Sequence, residues 1–262
     1  MELIENIKYF LLCQKYHWKE LFVYRSQALV WLIVGSSILL FTYLPVTIIY
    51  NVSSGIPGWT YFQLLLLSST SGFVMELVWY FVLPWGIVNG MRVGEFDKYL
   101  IRPFGKVTCM LSGYAGNLVG STGVIGSLFL IIYCLINLNI QIIPIVIFFV
   151  SIIIGIIALV MVFLLITILS YKLMNSANFT NNLMNLSLSA NTYPLNIYGS
   201  GIQLIFTLIL PIGLAVYYPT QVLFSMTTPL FTLILIFVFA IIIIITKIGF
   251  NKLIKSYSSG GG

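Results

Sequence analysis

The stretch IIPIVIFFVSIIIGIIALVMVFLLITILSY, residues 142–171, contains no charged side chain and is almost entirely apolar. A helix needs roughly 20 apolar residues to cross the hydrocarbon layer of a membrane. Because this run exceeds that length, it predicts a membrane-spanning helix rather than an element of a soluble core.

The whole chain has the same apolar character. Hydrophobic residues make up 60% of its 262 residues and charged residues only 7%, so the polar surface of a water-soluble globule is missing. Further apolar runs cover about 28–50, 60–83, 109–136 and 229–250, and another begins near 197 and is interrupted by Pro211, Gly213 and Pro219. We therefore expect an all-α membrane bundle with six transmembrane helices in one domain, residues 26–255.

The basic residues indicate how this bundle is oriented. They occur only in the N-terminal segment, the second and fourth connections and the tail: Lys8, Lys15, Lys19, Arg25, Arg92, Lys98, Arg102, Lys106, Lys172, Lys247, Lys252 and Lys255. The connections near 51–59, 137–141 and 217–228 carry no charge. Since Lys and Arg collect on the cytoplasmic side, we expect both termini in the cytoplasm. Anionic lipid is a sufficient partner for the net charge of +6, and no nucleic-acid partner is needed. Low charge with frequent Ile and Asn favours a bacterial inner membrane.

Residues 1–25 predict an amphipathic helix in the headgroup plane. Apolar residues recur there at helical spacing, with lysines between them: Ile4, Ile7, Phe10, Leu11, Trp18, Leu21 and Phe22. An extended start of the first span is the alternative. The mixed charges are unlike a cleavable signal peptide. Residues 256–262 resemble a linker or tag remnant.

Motifs for catalysis or metal binding are not found in the sequence. A GxxxxGK[ST] phosphate loop is missing, so we expect no ATP hydrolysis by this chain. Cys13, Cys109, Cys134 and His17 lack metal-ligand spacing. We therefore predict a non-enzymatic chain that binds no cofactor or metal of its own.

Glu76 is the only acidic residue inside a predicted span. An ionisable group at membrane depth is costly and is therefore a functional candidate. Phe73, Trp79 and Tyr80 lie three or four residues away, and a carboxylate beside aromatic rings suits an organic cation. The four residues are a candidate substrate pathway. Because Glu76 lies about 16 residues, roughly 24 Å, into its helix, bonding to a neighbouring helix or to interfacial water is the alternative.

Four glycines follow one another along the third span: Gly113, Gly116, Gly120 and Gly123. Small residues at steps of three and four allow helix backbones to approach closely in lipid. This stripe predicts helix packing, within one subunit or between two.

The second connection combines charges with an aromatic face. In a helix, Val93, Phe96, Tyr99 and Leu100 share one side, and Pro103 ends the turn. Such a helix either lies on the membrane or docks into the groove of a partner.

This connection resembles the type-2 ABC exporter permeases, in the branch with a G-x-hydrophobic-x-x-x-Leu-hydrophobic-Arg-Pro stretch after the second span. Here the stretch reads GEFDKYLIRP, residues 94–103. Further similarities are Tyr24-Arg25, the stretch YPLNIY at 193–198, Leu210-Pro211 and Tyr217-Tyr218-Pro219.

The resemblance implies two permease subunits, identical or homologous, with two ATPase subunits that carry ATP and Mg. It implies a coupling helix that enters an ATPase groove, formed by Gly94, Phe96, Tyr99, Leu100, Arg102 and Pro103. It also implies an exit gate around Pro211, Tyr217, Tyr218 and Pro219, where broken helices dip into the outer leaflet. An amphipathic or cationic small molecule or peptide is the expected cargo.

Two other functions fit parts of the sequence. An ion-coupled transporter would use Glu76 as its coupling site, although no inverted repeat is detected. A non-catalytic membrane scaffold or immunity protein would make both motifs incidental. The Asn- and Ser-rich fourth connection, 175–191, does not align with the family.

Overall fold

The computed structural model of the chain describes residues 2–23, 25–53, 55–114, 118–174, 176–226 and 229–258. Within these ranges the protein is helical and has no β-strand. A 3₁₀ turn covers Leu195–Ile197, and a π-helical turn, Ile205–Ile209, continues α10. The α-helices are α1 (Glu2–Val23), α2 (Arg25–Val52), α3 (Tyr61–Phe81), α4 (Pro84–Arg92), α5 (Asp97–Leu100), α6 (Lys106–Tyr114), α7 (Leu118–Leu138), α8 (Ile142–Met174), α9 (Asn178–Asn191), α10 (Ser200–Leu204), α11 (Ile212–Ala215), α12 (Tyr217–Leu223) and α13 (Pro229–Lys255).

Four segments of the described chain are long and apolar enough to cross a membrane: Ile33–Val52, Tyr61–Arg92, Ile142–Leu173 and Leu233–Lys255. A fifth span results if Ser200–Ile209 and Ile212–Leu223, which meet at a bend of 77°, are counted together. A shorter apolar helix, Gly123–Leu138, lies within α7. The multi-pass helical architecture is confirmed, whereas the count of six spans stays a prediction.

Hydroxyl side chains inside these apolar helices are satisfied by the helix itself. Thr70, Ser151, Thr167 and Thr246 each donate a hydrogen bond to the carbonyl four residues earlier, at 2.7 or 2.8 Å. This bond replaces the water that hydrocarbon cannot supply. Buried polar residues therefore do not exclude these helices from the membrane.

The basic connections meet at one end of the bundle. Asn6 of α1 bonds Gly105, Arg102 bonds Tyr9, Lys172 donates to Ser256 at 2.9 Å, and Tyr257 donates to the Met91 carbonyl at 3.2 Å. We call this region the charged end.

The uncharged connections meet at the opposite end. The Trp59 ring lies 6.1 Å from the rings of both Tyr217 and Phe224. A cavity of about 360 Å³ is lined by Gln63, Gln141 and Ser225 among others. We call this region the uncharged end.

The fourth connection contains a helix. Residues 178–191 form α9, and its Thr180, Met184, Ser187 and Asn191 are buried. The Ser68 hydroxyl on α3 donates to the Thr192 carbonyl at 2.6 Å. α9 therefore packs inside the bundle. The polar composition of this segment does not indicate a helix inside the bundle, because the buried and exposed sides of a helix are decided by its neighbours.

α3 and α7 form the most extensive helix pair and run antiparallel. Gly72 of α3 faces Ser127 of α7. Glu76, four residues later on α3, faces Gly123, four residues earlier on α7. α2 packs on the same helix, where Leu39 lies against Gly126. Small residues allow these close contacts.

Candidate functional site

The segment that connects α4 to α6 at the charged end begins with a tight turn. Gly94 has φ of 75°, a conformation that favours glycine because other side chains clash there. The Phe96 amide donates to the Gly90 carbonyl at 3.0 Å across this turn. The turn directs the Phe96 side chain back into the protein.

Phe96 and Tyr99 hold this segment against the bundle. Phe96 is 0% exposed and Tyr99 is 6% exposed. The ring of Phe96 lies 5.2 Å from the ring of Tyr257, and the ring of Tyr99 lies 5.1 Å from that of Tyr114. Aromatic pairs at this spacing add to the stability gained from burial.

The predicted aromatic face is therefore not a single exposed surface. Val93 is 55% exposed and Ile101 is 83% exposed, whereas Phe96 and Tyr99 are inside. Lys98 and Glu95, whose charged groups are 3.7 Å apart, are also exposed. The rings of Phe96 and Tyr99 lie 6.4 Å apart, and both contact their own subunit. A coupling role for these residues stays a prediction. The exposed side chains of this segment include Val93, Glu95, Lys98 and Ile101.

Arg102 links this segment to α1. Its guanidinium donates to the Tyr9 hydroxyl and lies 5.0 Å from the centre of the Tyr99 ring, a cation–π distance. The Tyr9 ring stacks on Phe104 at 4.2 Å. Burial raises the pKa of Tyr9 above its ordinary value, although Arg102 opposes the shift, so the phenol stays neutral at physiological pH. Leu100 is half-buried and Pro103 is exposed beside them.

α1 has a docking side and an exposed apolar side. Asn6 accepts a hydrogen bond from the Gly105 amide at 2.7 Å, His17 bonds the Ser112 carbonyl at 3.0 Å, and Gln14 accepts one from the Tyr80 hydroxyl at 2.5 Å. Ile4, Ile7, Leu11 and Trp18, from the predicted apolar set, are exposed. The side chains of Leu21 and Phe22 lie outside the described part. An interfacial location of α1 stays a prediction.

Tyr257, which follows α13, also packs against the segment that connects α4 to α6. Tyr257 contacts Phe96 and Tyr171, and its hydroxyl reaches the last turn of α4 at Met91. The contacts of the described residues thus include Tyr257, two residues after the predicted boundary at 255, and that boundary stays a prediction. Sequence reasoning missed Tyr257 because its partners lie far away in the chain.

The glycine stripe makes room for side chains. A Cβ on Gly113 would overlap the Tyr99 ring, and one on Gly123 would overlap the carboxyl group of Glu76. Gly116 lies outside the described residues, as do the surroundings of Gly120. At Gly113 and Gly123, side chains rather than helix backbones occupy the space.

Glu76 lies on α3 at its contact with α7, and Tyr80, four residues further on, contacts α1. The Tyr80 hydroxyl is engaged by Gln14 of α1, and the Tyr80 ring contacts Phe81 at 5.0 Å. An apolar cavity of about 260 Å³ lies between α1, α3 and α7, lined by Gln14, Trp18, Leu77, Tyr80, Phe81, Val124 and Ile125. Neither Glu76 nor Phe73 nor Trp79 lines it. A substrate role for these residues stays a prediction.

The predicted exit gate coincides with the break between α10 and α11. Pro211 stands at this break, and the helices on either side meet at 77°. Pro219 and Tyr217 are buried; Gln221 donates to the Tyr217 hydroxyl at 2.7 Å, and Tyr218 lies beside that ring. These residues lie at the uncharged end, next to Trp59. Their function as a gate stays a prediction.

Metal binding finds no support in the described ranges, where no three His, Cys, Asp or Glu residues come together. Cys13, Cys109 and Cys134 are free thiols.

Comparison with known proteins gives one match. A family model described as ABC-2 family transporter protein matches residues 36–261. No curated protein and no solved structure matches significantly.

Proposed function

Because the chain belongs to the ABC-2 transporter family, whose model matches it from residue 36 to residue 261, we propose that it is the membrane-spanning permease subunit of an ATP-driven exporter. Its ATPase is a separate pair of subunits, which carry ATP and Mg. Two permeases, identical or homologous, enclose the pathway. The charged end lies in the cytoplasm of a bacterial cell and the uncharged end outside.

The main support for this proposal is the connection between α4 and α6, which is packed against the bundle. Phe96 and Tyr99 fasten it to α4, α6 and the C-terminal Tyr257, while Val93 and Ile101 project from the opposite side. When a partner bound to its exposed apolar side chains moves, a segment packed in this way transmits the movement to the helices that it contacts. This arrangement supports coupling to an ATPase groove through Val93, Lys98, Ile101 and Arg102.

The transport cycle follows from this geometry. ATP closes the ATPase dimer, the connection moves with it, and the spans that it touches reorient the pathway toward the uncharged end. Cargo then leaves past the break at Pro211. The cargo is an amphipathic small molecule or peptide.

Copurification from native membranes tests the proposal. Ile101→Glu is expected to abolish association with an ATP-binding chain and to remove ATPase activity from the purified sample, since a charge disfavours an apolar groove. Val52→Glu is the matched control, because Val52 is also 83% exposed but lies at the uncharged end. The control is expected to retain both.

Two results contradict the proposal. The first is that no ATP-binding chain copurifies with the unsubstituted protein. The second is that Ile101→Glu and Val52→Glu retain the ATP-binding chain equally. If transport instead follows the proton gradient and is lost in Glu76→Gln, the chain is an ion-coupled transporter.

A further inference from the structure

The C-terminal ends of α8 and α13 lie side by side at the charged end. Leu165 of α8 lies next to Gly249 of α13, and Lys172, near the end of α8, donates to Ser256, the residue after α13. Both pairs are separated by 84 positions in the sequence, so the two helices run parallel. Each helix contains a segment long and apolar enough to cross a membrane. Two spans therefore leave the hydrocarbon at the same place.

A cavity of about 390 Å³ lies between these two helix ends. Its apolar lining includes Ile168 and Leu253, and its polar lining includes Lys172, Ser256 and Ser258. The cavity thus combines apolar and polar groups at the depth where the headgroup of a phospholipid joins its acyl chains.

Lys172 supplies the positive charge of this cavity. Its ammonium group donates to the Ser256 hydroxyl at 2.9 Å, and that hydroxyl donates to the Leu253 carbonyl at 2.8 Å. An ammonium group has three N–H donors, and the described contacts of Lys172 use one of them. Ser256 therefore fixes the ammonium group at the cavity and leaves it donors for an anionic ligand.

Acidic residues are confined to the first part of the chain. All six lie at or before position 97, whereas α8 and α13 come later in the sequence. Glu95, at the same end of the bundle, is 3.7 Å from Lys98 of its own segment. Among the described residues, neither Asp nor Glu lines the cavity. The charge of Lys172 is therefore not balanced by an acid from either helix.

Helix dipoles explain only part of this arrangement. The last carbonyl groups of a helix attract positive side chains, and Lys172, Lys252 and Lys255 all lie in last turns. A dipole does not account for a cavity with an apolar wall beside one of these lysines. Basic pockets between membrane helices at this level bind the headgroups of anionic lipids.

We propose that the cavity between the ends of α8 and α13 binds one anionic phospholipid from the adjoining leaflet, with its phosphate on the Lys172 ammonium. Ser258 supplies a hydroxyl for the headgroup, and Ile168 and Leu253 contact the glycerol and the first methylene groups. A choline group would place a second positive charge near Lys172. The site therefore favours an anionic lipid over a zwitterionic one.

Native mass spectrometry of the purified full chain in a non-ionic detergent tests the site. Phosphatidylglycerol and phosphatidylcholine with identical acyl chains are added at equal concentrations. The unsubstituted protein is expected to retain one phosphatidylglycerol several-fold more than phosphatidylcholine. Lys172→Gln is expected to lose this preference, and Lys172→Arg is expected to keep it because the charge remains.

Lys255→Gln is the matched control, because it removes the same charge from the same end of the bundle. Lys255 is exposed and lies two positions after Leu253, about 200° around α13, so it points away from the cavity. This variant is expected to retain phosphatidylglycerol. Equal loss in Lys172→Gln and Lys255→Gln means a diffuse attraction to the basic end, which overturns the proposal.

A second variant tests the cavity without changing its charge. Ser258 is exposed and lines the cavity, so Ser258→Trp is expected to fold and to lower the retention of phosphatidylglycerol by filling the space. Thermal unfolding without added lipid verifies that each variant is folded. Unchanged retention in both Lys172→Gln and Ser258→Trp overturns the proposal.

The ligand comparison separates a lipid from a soluble phosphate. Glycerol 3-phosphate, which has no acyl chains, is expected not to displace phosphatidylglycerol at equal concentration. Displacement means that the cavity binds a soluble phosphate, and equal retention of phosphatidylcholine means that the negative charge is not recognised. Each of these results overturns the proposal. Lipid binding does not require an ATPase, so its outcome is separate from the copurification result.

Discussion

At the scale of single residues, glycines determine how closely the connection between α4 and α6 approaches the bundle. The Tyr99 ring lies directly on Gly113, and the Tyr114 hydroxyl lies on Gly90. Neither glycine has positive φ, so space rather than backbone conformation explains them. The positions of Tyr99 and Tyr114 therefore depend on the absence of side chains at Gly113 and Gly90 as well as on the aromatic contacts.

Gly113→Ala is expected to destabilise the protein by about 1–3 kcal/mol, because the added methyl group overlaps the Tyr99 ring and forces it to move. Thermal unfolding in mild detergent measures the effect. Gly199→Ala is the control, since no atom lies within 4 Å of a Cβ at that position. Equal midpoints for the two variants contradict the predicted overlap.

At the scale of elements, the connection between α4 and α6 is held from three directions. α1 contacts it through Tyr9 and Asn6, α6 through Tyr114, and the segment after α13 through Tyr257. The segment that follows the last span thus contacts the connection between α4 and α6, although the two are far apart in the sequence. The connection therefore contacts several helices at once.

Tyr257→Ala is expected to loosen this connection, because it removes the ring next to Phe96, an aromatic pair worth about 0.5–1.5 kcal/mol beyond burial. Tyr257→Phe keeps the ring and removes the hydroxyl group that donates to the Met91 carbonyl. Trypsin cleavage after Lys98, followed by mass spectrometry, is expected to be faster in Tyr257→Ala than in Tyr257→Phe. Ser258→Ala controls for changes in the tail, and one common cleavage rate for all variants means that Tyr257 does not anchor the segment.

At the scale of the whole molecule, charge separates the two ends of the bundle. Lys172 contacts Ser256, and Arg102 contacts Tyr9, at one end; Trp59 contacts Tyr217 at the other. Because Lys and Arg accumulate on the cytoplasmic side of membranes, this difference predicts that the charged end faces the cytoplasm.

Gln141→Cys is expected to react with an impermeant thiol reagent in intact cells, because its connection lies at the uncharged end. Ser258→Cys is expected to react only after the membrane is permeabilised, since the tail lies at the charged end. Labelling is compared with the unsubstituted protein. The reverse pattern means that the orientation is inverted, and reaction of both residues in intact cells contradicts a separation of the two ends.

The sequence by itself determined the class of protein and the family. Hydrophobic runs such as 142–171 are sufficient to predict membrane spans, because hydrocarbon accommodates long apolar helices and excludes charged segments. The distribution of lysines and arginines separates the connections into two groups. The stretch from Gly94 to Pro103 identified the connection that carries the family resemblance. These features are local in the chain, so they are readable without a structure.

Only the tertiary structure decided which face of each element is used. Phe96 and Tyr99 turn inward because Tyr257 and Tyr114, distant in sequence, meet them there. α9 enters the bundle although its composition is polar, since α3 and α8 satisfy its buried side. Burial and hydrogen bonding depend on partners brought together by folding, and hydropathy along the chain does not contain that information.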